Sequence, residues 1–432
     1  MNAFWQRLIQ YLSSIWSYFP TIVAAQARTG AFILPPRQQP STPTRHTQKG
    51  LLLREAYSDE PKAQDIRDPP QIYWYRTAGH VLDALMQGAN YSRPAHDYVM
   101  SFFKDTVAPF LGPTDQPSFK RWESFMTDDH SPIEISWDWC GSADEPVIRF
   151  SIEPIGLHGG TSVDPMNAVG PESFKRTILE TLPKIHTSWF DHFDLFFNGR
   201  ATQASTEESH PSRIFWGFDL KGSCITAKAY FFPGPSARSM GTSNFHTIAQ
   251  AIACAPYCTP DKIQAFDKLA TFADGPGTDA LEFEMLAIDM VDPLESRFKI
   301  YFRDRSTRFS SVCDAITLKG QKTGVHIDRG LRSLEQLWCS LFDLSDVSED
   351  AELQLNEHRT AGILYNAEFR LGSRYPDVKI YIPVRHYSSS DQNVMDRVEE
   401  FMDNQRQRIH LVRRSASEVP SSAYAEAMKR IL

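Results

Sequence analysis

Hydrophobic and polar positions along this chain follow two alternating periods, and their order defines an architecture. Apolar spacings of three to four residues predict helices at 78–92, 96–111, 171–183, 187–195, 243–253, 260–272, 309–317, 331–343, 391–408 and 418–432. Between successive helix pairs the period shortens to two, which predicts strands at 133–139, 147–155, 213–220, 224–231, 281–291, 297–302, 361–371 and 378–384. Short turns such as Gly141-Ser142-Ala143-Asp144 and Lys221-Gly222-Ser223 join them into hairpins. A helix-helix-strand-strand unit is thus written four times, an α+β pattern.

The second strand of each hairpin carries a basic residue at the same place: Arg149, Lys228, Lys299 and Lys379, recurring at intervals of about 70–80 residues. In the last three units a tyrosine follows two residues later, as Tyr230, Tyr301 and Tyr381. Residues i and i+2 of a strand share a face, so each hairpin offers a cation and a phenol to one surface. The competing reading is a solvated sheet face on which lysine and tyrosine alternate. If the hairpins close into a barrel inside their helices, the marked faces line its lumen. Cations there suit a diphosphate, and phenol faces suit a carbocation kept from water.

Composition narrows the classes. At 432 residues, with 41% apolar and 23% charged residues, the chain is ordinary globular protein with material for a large core. A net charge of −8 argues against a nucleic-acid partner but allows a local basic pocket. The six cysteines show no framework, and Cys254 and Cys258 form a lone C-x3-C, so reduced thiols in a cytoplasmic protein outweigh a zinc site. Residues 1–19 form an amphipathic helix ended by Pro20, and 35–50 read as a linker. For that helix, packing on the protein, contact with a membrane surface and a cleaved signal all stay open. The domain reading is an extension over 1–50 and one barrel domain over 51–432.

At particular stretches the chain resembles the fungal aromatic prenyltransferases of the dimethylallyltryptophan synthase type. They are Tyr73-Trp74-Tyr75-Arg76-Thr77-Ala78-Gly79, Phe110-Leu111-Gly112-Pro113, the run from Met126 to Trp137, and Phe218-Asp219-Leu220-Lys221. Lys228-Ala229-Tyr230-Phe231-Phe232-Pro233, Arg297-Phe298-Lys299-Ile300-Tyr301 and Lys379-Ile380-Tyr381-Ile382-Pro383-Val384 complete the set, in order over about 70–395. The resemblance implies an antiparallel barrel ringed by helices, the ABBA or PT barrel. It implies a diphosphate clamp of Arg149, Lys228, Arg297, Lys299 and Lys379, and a cation shield of Tyr230, Tyr301 and Tyr381. Glu134 matches the glutamate that accepts a hydrogen bond from the aromatic acceptor. Ile133 and Phe215 are expected in the acceptor pocket. The co-substrate implied is dimethylallyl diphosphate, with no other cofactor.

No Asp-Asp-x-x-Asp motif is present, and Asp289 and Asp292 stand in a lone D-x-x-D, so no metal ligand set is expected. The family's tryptophan-using members carry a lysine where this chain has Phe215, and an arginine on the first strand of the third hairpin. Residues 281–291 contain no basic residue. That favours an acceptor without a free carboxylate, such as an indole alkaloid or a phenolic polyketide. Only eight strands are counted, one pair fewer than the family has. An active enzyme of secondary metabolism and a silent, truncated ligand-binding paralogue therefore both remain as readings. A homodimer is left open.

Overall fold

A computed structural model describes residues 23–25, 69–113, 121–138, 147–199, 210, 212–344 and 351–410. The expected helices at 1–19 and 418–432, the linker at 35–50 and the first hairpin turn lie outside the described residues. All eight predicted strands form: β2 (Ile133–Asp138), β3 (Val147–Ile152), β4 (Ile214–Lys221), β5 (Cys224–Phe231), β6 (Glu282–Asp289), β7 (Arg297–Asp304), β8 (Ile363–Arg370) and β9 (Asp377–Ile382). They pair antiparallel in chain order. A ninth, β1 (Val23–Ala25), lies parallel to β9. It comes from a stretch given no element by periodicity. Three residues are too short to show a period, whereas the unpaired edge of β9 offers backbone donors and acceptors to any extended segment.

Helices fill the intervals as expected: α1 (Pro70–Gly88), α2 (Arg93–Phe102), α3 (Val169–Thr181), α4 (Ser188–Phe197), α5 (Gly234–Met240), α6 (Asn244–Ala253), α7 (Gln264–Ala273), α8 (Phe309–Thr317), α9 (Val325–Leu341), α10 (Val384–Tyr387) and α11 (Asp391–His410). The short α5 and α10 were not expected. Pro70 opens α1 at a position whose N–H has no helical partner anyway. Ser243 caps α6 by accepting from the His246 backbone N–H.

Strand alternation sorts side chains into two environments. One face packs on the helices in a continuous aromatic core. Trp216, Phe218, Phe231 and Phe298 are buried there. Trp189 of α4 stacks on Phe298 at 4.2 Å, and Phe193 meets Phe231 at 5.9 Å. The other face curls inward. Glu134 on β2 and Tyr381 on β9, at opposite ends of the eight antiparallel strands, line one cavity. The seam between those ends is bridged by Asp128, which ion-pairs with Arg385 and, at 3.2 Å, with Arg359. Ile133 belongs to the outer face: it pairs with Ile152 and is buried in the main core. The expectation of Ile133 in the acceptor pocket is therefore corrected, because period two sends it away from its neighbour Glu134.

Candidate active site

Register places the sequence marks on one inner surface. Arg149 pairs with Asp219, Lys228 with Asp289, Lys299 with Glu368 and Lys379 with Asn366. In β5, β7 and β9 the cation precedes the tyrosine by two residues, so it lies about 7 Å nearer the hairpin turns. The lumen therefore has a charged layer at its hairpin end and a phenol layer beyond it.

In the charged layer the five clamp cations are interleaved with carboxylates. Arg149 pairs with Asp138 and, at 3.0 Å, with Asp219; Lys228 Nζ lies 2.5 Å from Asp219. Arg297 bridges Asp289 at 2.5 Å and Glu368 at 3.1 Å. Lys299 sits 3.9 Å from Asp289 and 3.8 Å from Glu368, and Lys379 3.1 Å from Glu368. The structure thus brings Arg149, Lys228, Arg297, Lys299 and Lys379 together. The four acids are what sequence reasoning missed. Asp219 and Asp289 carry one signal in the sequence, inward parity on a strand next to a cation: they face Arg149 and Lys228. Among the described residues no three His, Cys, Asp or Glu side chains gather as a metal would need.

Burial and neighbouring charge compete in this layer. Burial lowers the Lys228 amine, with Asp219 offsetting only part of it. Burial, then Arg297 and Lys228, push Lys299 well below the ordinary lysine range. For Asp219 burial acts upward, but Arg149, Lys228 and Lys299 outweigh it and hold the carboxyl well below its usual range. Asp289 is held at about 2 because Lys299, Lys228 and Arg297 overcome its burial. Glu368 is likewise held low against its burial, by Lys379, Lys299 and Arg297. Burial thus works against the charge on Lys228 and Lys299, while Asp219, Asp289 and Glu368 stay ionised.

Beyond it, Tyr230, Tyr301 and Tyr381 form a row with ring centroids 6.0 Å apart at each step. Burial raises all three phenols, Tyr381 to about 12, so they remain neutral. Tyr381 accepts a 2.9 Å hydrogen bond from Asn366 Nδ2. Gly217 makes room for the first ring: a Cβ there would stand 3.0 Å from the Tyr230 ring and 3.2 Å from Ser151 Oγ.

The phenols, Glu134 and Phe215 line a cavity of about 120 Å³, so both predicted acceptor-side residues other than Ile133 reach it. Its outer rim carries Asp128, Glu284, Arg303, Arg359 and Thr360, and it adjoins a recess of about 660 Å³ that shares Phe125, Glu284 and Arg359. The wall at Trp122–Phe125 is pinned by buried Glu153. Trp122 Nε1 donates to Glu153 at 2.9 Å, Ser212 Oγ donates at 2.8 Å, and Ser212 Oγ also accepts from the Phe125 N–H.

A buried row of phenols thus lies between the Glu134 carboxylate and a cluster of cations inside an antiparallel sheet ringed by helices. The family described as tryptophan dimethylallyltransferase matches residues 71–415, and the chain belongs to that family of prenyltransferases. Among its relatives is 4-O-dimethylallyl-L-tyrosine synthase of Claviceps purpurea, 35% identical over 328 residues, covering 74% of this chain and 73% of that one. The 7-dimethylallyltryptophan synthase hasE of Aspergillus fumigatus is 34% identical over 349 residues, covering 76% and 73%. In fold the chain is similar to AnaPT from Neosartorya fischeri, with a TM-score of 0.66 at 24% identity over 79% of this chain and 82% of that one. The crystal structure of NotF in complex with brevianamide F and DMSPP scores 0.68 at 23% identity over 87% and 88%. Among the described residues no helix is long and apolar enough to cross a membrane.

Proposed function

We propose that this chain moves a dimethylallyl group from dimethylallyl diphosphate to an aromatic ring carrying an N–H or O–H. The observation that carries the proposal is the layering of the lumen, five clamp cations followed by three neutral phenols. Arg149, Lys228, Arg297, Lys299 and Lys379 take the diphosphate and stabilise the charge that develops as its C–O bond breaks. Tyr230, Tyr301 and Tyr381 turn their faces to the allylic cation and keep water from it. Glu134 accepts the acceptor's N–H or O–H, which makes the ring more nucleophilic and offsets the positive charge it gains. The ring then bonds to the allylic carbon and loses a proton, for which Glu134 and the departing diphosphate are the acceptors within the lumen.

The basic side chains stand in for a metal ion, so turnover is metal-independent in this proposal. The five described cysteines are free thiols, in keeping with a cytoplasmic enzyme. Incubation with dimethylallyl diphosphate and a panel of indoles and phenols, with and without EDTA, tests the reading. Prenylated product that survives chelation is expected. Ligand binding without product from any acceptor would leave a silent binding protein instead.

A further inference from the structure

Backbone hydrogen bonds do not close the eight antiparallel strands into a ring. The sheet ends on β2 at one side and on β1, laid along β9, at the other, and among the described residues no ladder joins those ends. Both ends reach the phenol cavity, through Glu134 of β2 and Tyr381 of β9. Where ladder bonds are missing, side chains must keep water from a cation formed beside them.

On the β9 side two segments are tied into one piece. The loop before β8 meets the turn after β9 through Thr360 Oγ1 and His386 Nε2 at 2.8 Å, and the Gly362 N–H donates to the Tyr387 hydroxyl at 2.9 Å. A bulge between Phe283 and Met285 turns Glu284 to the rim, where it pairs with Arg303 at 2.7 Å. Arg303 also donates to the carbonyls of Thr360 and Ala361, which fastens this piece to the strands.

The piece reaches the β2 side at Asp128. That carboxylate pairs with Arg359 at 3.2 Å and with Arg385, while Arg359 also donates to the Thr127 carbonyl and stacks over Phe125 at 4.4 Å. The Asp128 side chain is only 11% exposed and lines the phenol cavity. Removing its charge leaves two guanidinium groups side by side with their shared counter-charge gone, which opposes closure.

We infer that Asp128, with Arg359 and Arg385, is a lock that decides what captures the allylic cation, the aromatic acceptor or water. The inference rests on the proposed prenyl transfer and names a positioning residue that sets its outcome through the wall. With the lock shut, the acceptor ring bonds to the allylic carbon and gives up its proton. With it open, a water oxygen bonds to that carbon, the water's proton goes to the released diphosphate or to solvent, and the products are a dimethylallyl alcohol and diphosphate. Breaking of the C–O bond at the clamp is common to both routes.

Product analysis in isotopically labelled water, with dimethylallyl diphosphate and an accepted indole or phenol, tests this. The fraction of released diphosphate matched by labelled alcohol should be small in the wild type. Asp128→Asn, close in size but uncharged, should raise that fraction about 10-fold. Arg385→Gln should do the same, and the double variant no more than either alone. Kd for dimethylallyl thiodiphosphate, an unreactive analogue, should stay as in the wild type. Asp343→Asn, which breaks an exposed pair with Arg397, should leave the fraction unchanged. An unchanged fraction in Asp128→Asn overturns the inference. So does a raised fraction with weaker analogue binding, which would place Asp128 in the clamp. If no acceptor is prenylated, the proposed reaction fails, and hydrogen exchange reads the lock by itself. Amides of residues 131–134 and 360–364 should then exchange faster in Asp128→Asn, with those of β5 unchanged. Wild-type exchange rates at the seam would end the inference.

Discussion

At the hairpin end of the lumen five cations are shared among Asp138, Asp219, Asp289 and Glu368; at the helix end three neutral phenols and Glu134 face a cavity at whose rim Arg303 pairs with Glu284. The two ends teach different things about preorganisation. The charged layer is a lattice in which each acid holds at least one cation in place before any ligand arrives, at the cost of competing with the diphosphate. At the helix end the ion pairs stand at the rim, where Asp128 takes Arg359 and Arg385 and Glu284 takes Arg303, and the wall behind is held by packing and by the Glu153 network of Trp122 and Ser212.

The largest expected effect separates chemistry from binding. Glu134→Gln should lower kcat by roughly 10²- to 10⁴-fold, the scale of a lost proton-accepting group, with a much smaller change in KM for the prenyl diphosphate. A loss confined to that KM would move Glu134 into the clamp and erase the distinction between the ends. Lys299→Ala should reduce kcat/KM for the prenyl diphosphate by roughly 10²- to 10³-fold, because it removes a buried cation that lies between Asp289 and Glu368. Steady-state kinetics with each substrate varied in turn reads both.

The depressed Lys299 gives the hairpin end a signature in pH. Its cation is present below its lowered pKa and lost as pH rises through that value, so KM for the prenyl diphosphate should climb with pH before kcat changes. Bound diphosphate raises the amine again, so calorimetry in buffers of different ionisation enthalpy should show proton uptake. No uptake at any pH would mean the lattice is fully charged beforehand.

At the helix end the matching group is Glu153, which burial raises to about 7 despite donors from Ser124, Ser212 and Trp122. Its folded pKa lies above the ordinary 4.5, so the folded state binds the proton more tightly. Its contribution to stability is full below about pH 4.5 and falls as pH rises to about 7, by a few kcal/mol at most. Urea melts across that window should show the slope, and Glu153→Gln should flatten it. The smallest effect belongs to neither end. Ile133→Val should cost about 0.5–1.5 kcal/mol of stability by trimming the helix-facing core, with Kd for the prenyl diphosphate as in the wild type. A shift in that Kd would return Ile133 to the pocket.

Much of this was legible before any coordinates, and the exceptions are specific. Lys228 and Tyr230 could be placed on one face because alternation is a local property of any strand. Asp289 could not be assigned to Lys228, because that contact depends on which residues face each other across β5 and β6. Glu284 was hidden by a bulge, which no period reveals. Ile133 was misassigned although parity with Glu134 already excluded it.

Sequence alone determined the four hairpins, the spacing of cation and phenol within each, and the family to which they belong, since these follow from short-range periodicity and side-chain chemistry. Tertiary structure decided which acid holds which cation, that Asp128 closes the seam, and that Arg359 from a distant loop reaches the cavity. Those are contacts between segments far apart in the chain, set by register and curl, and no local pattern encodes them.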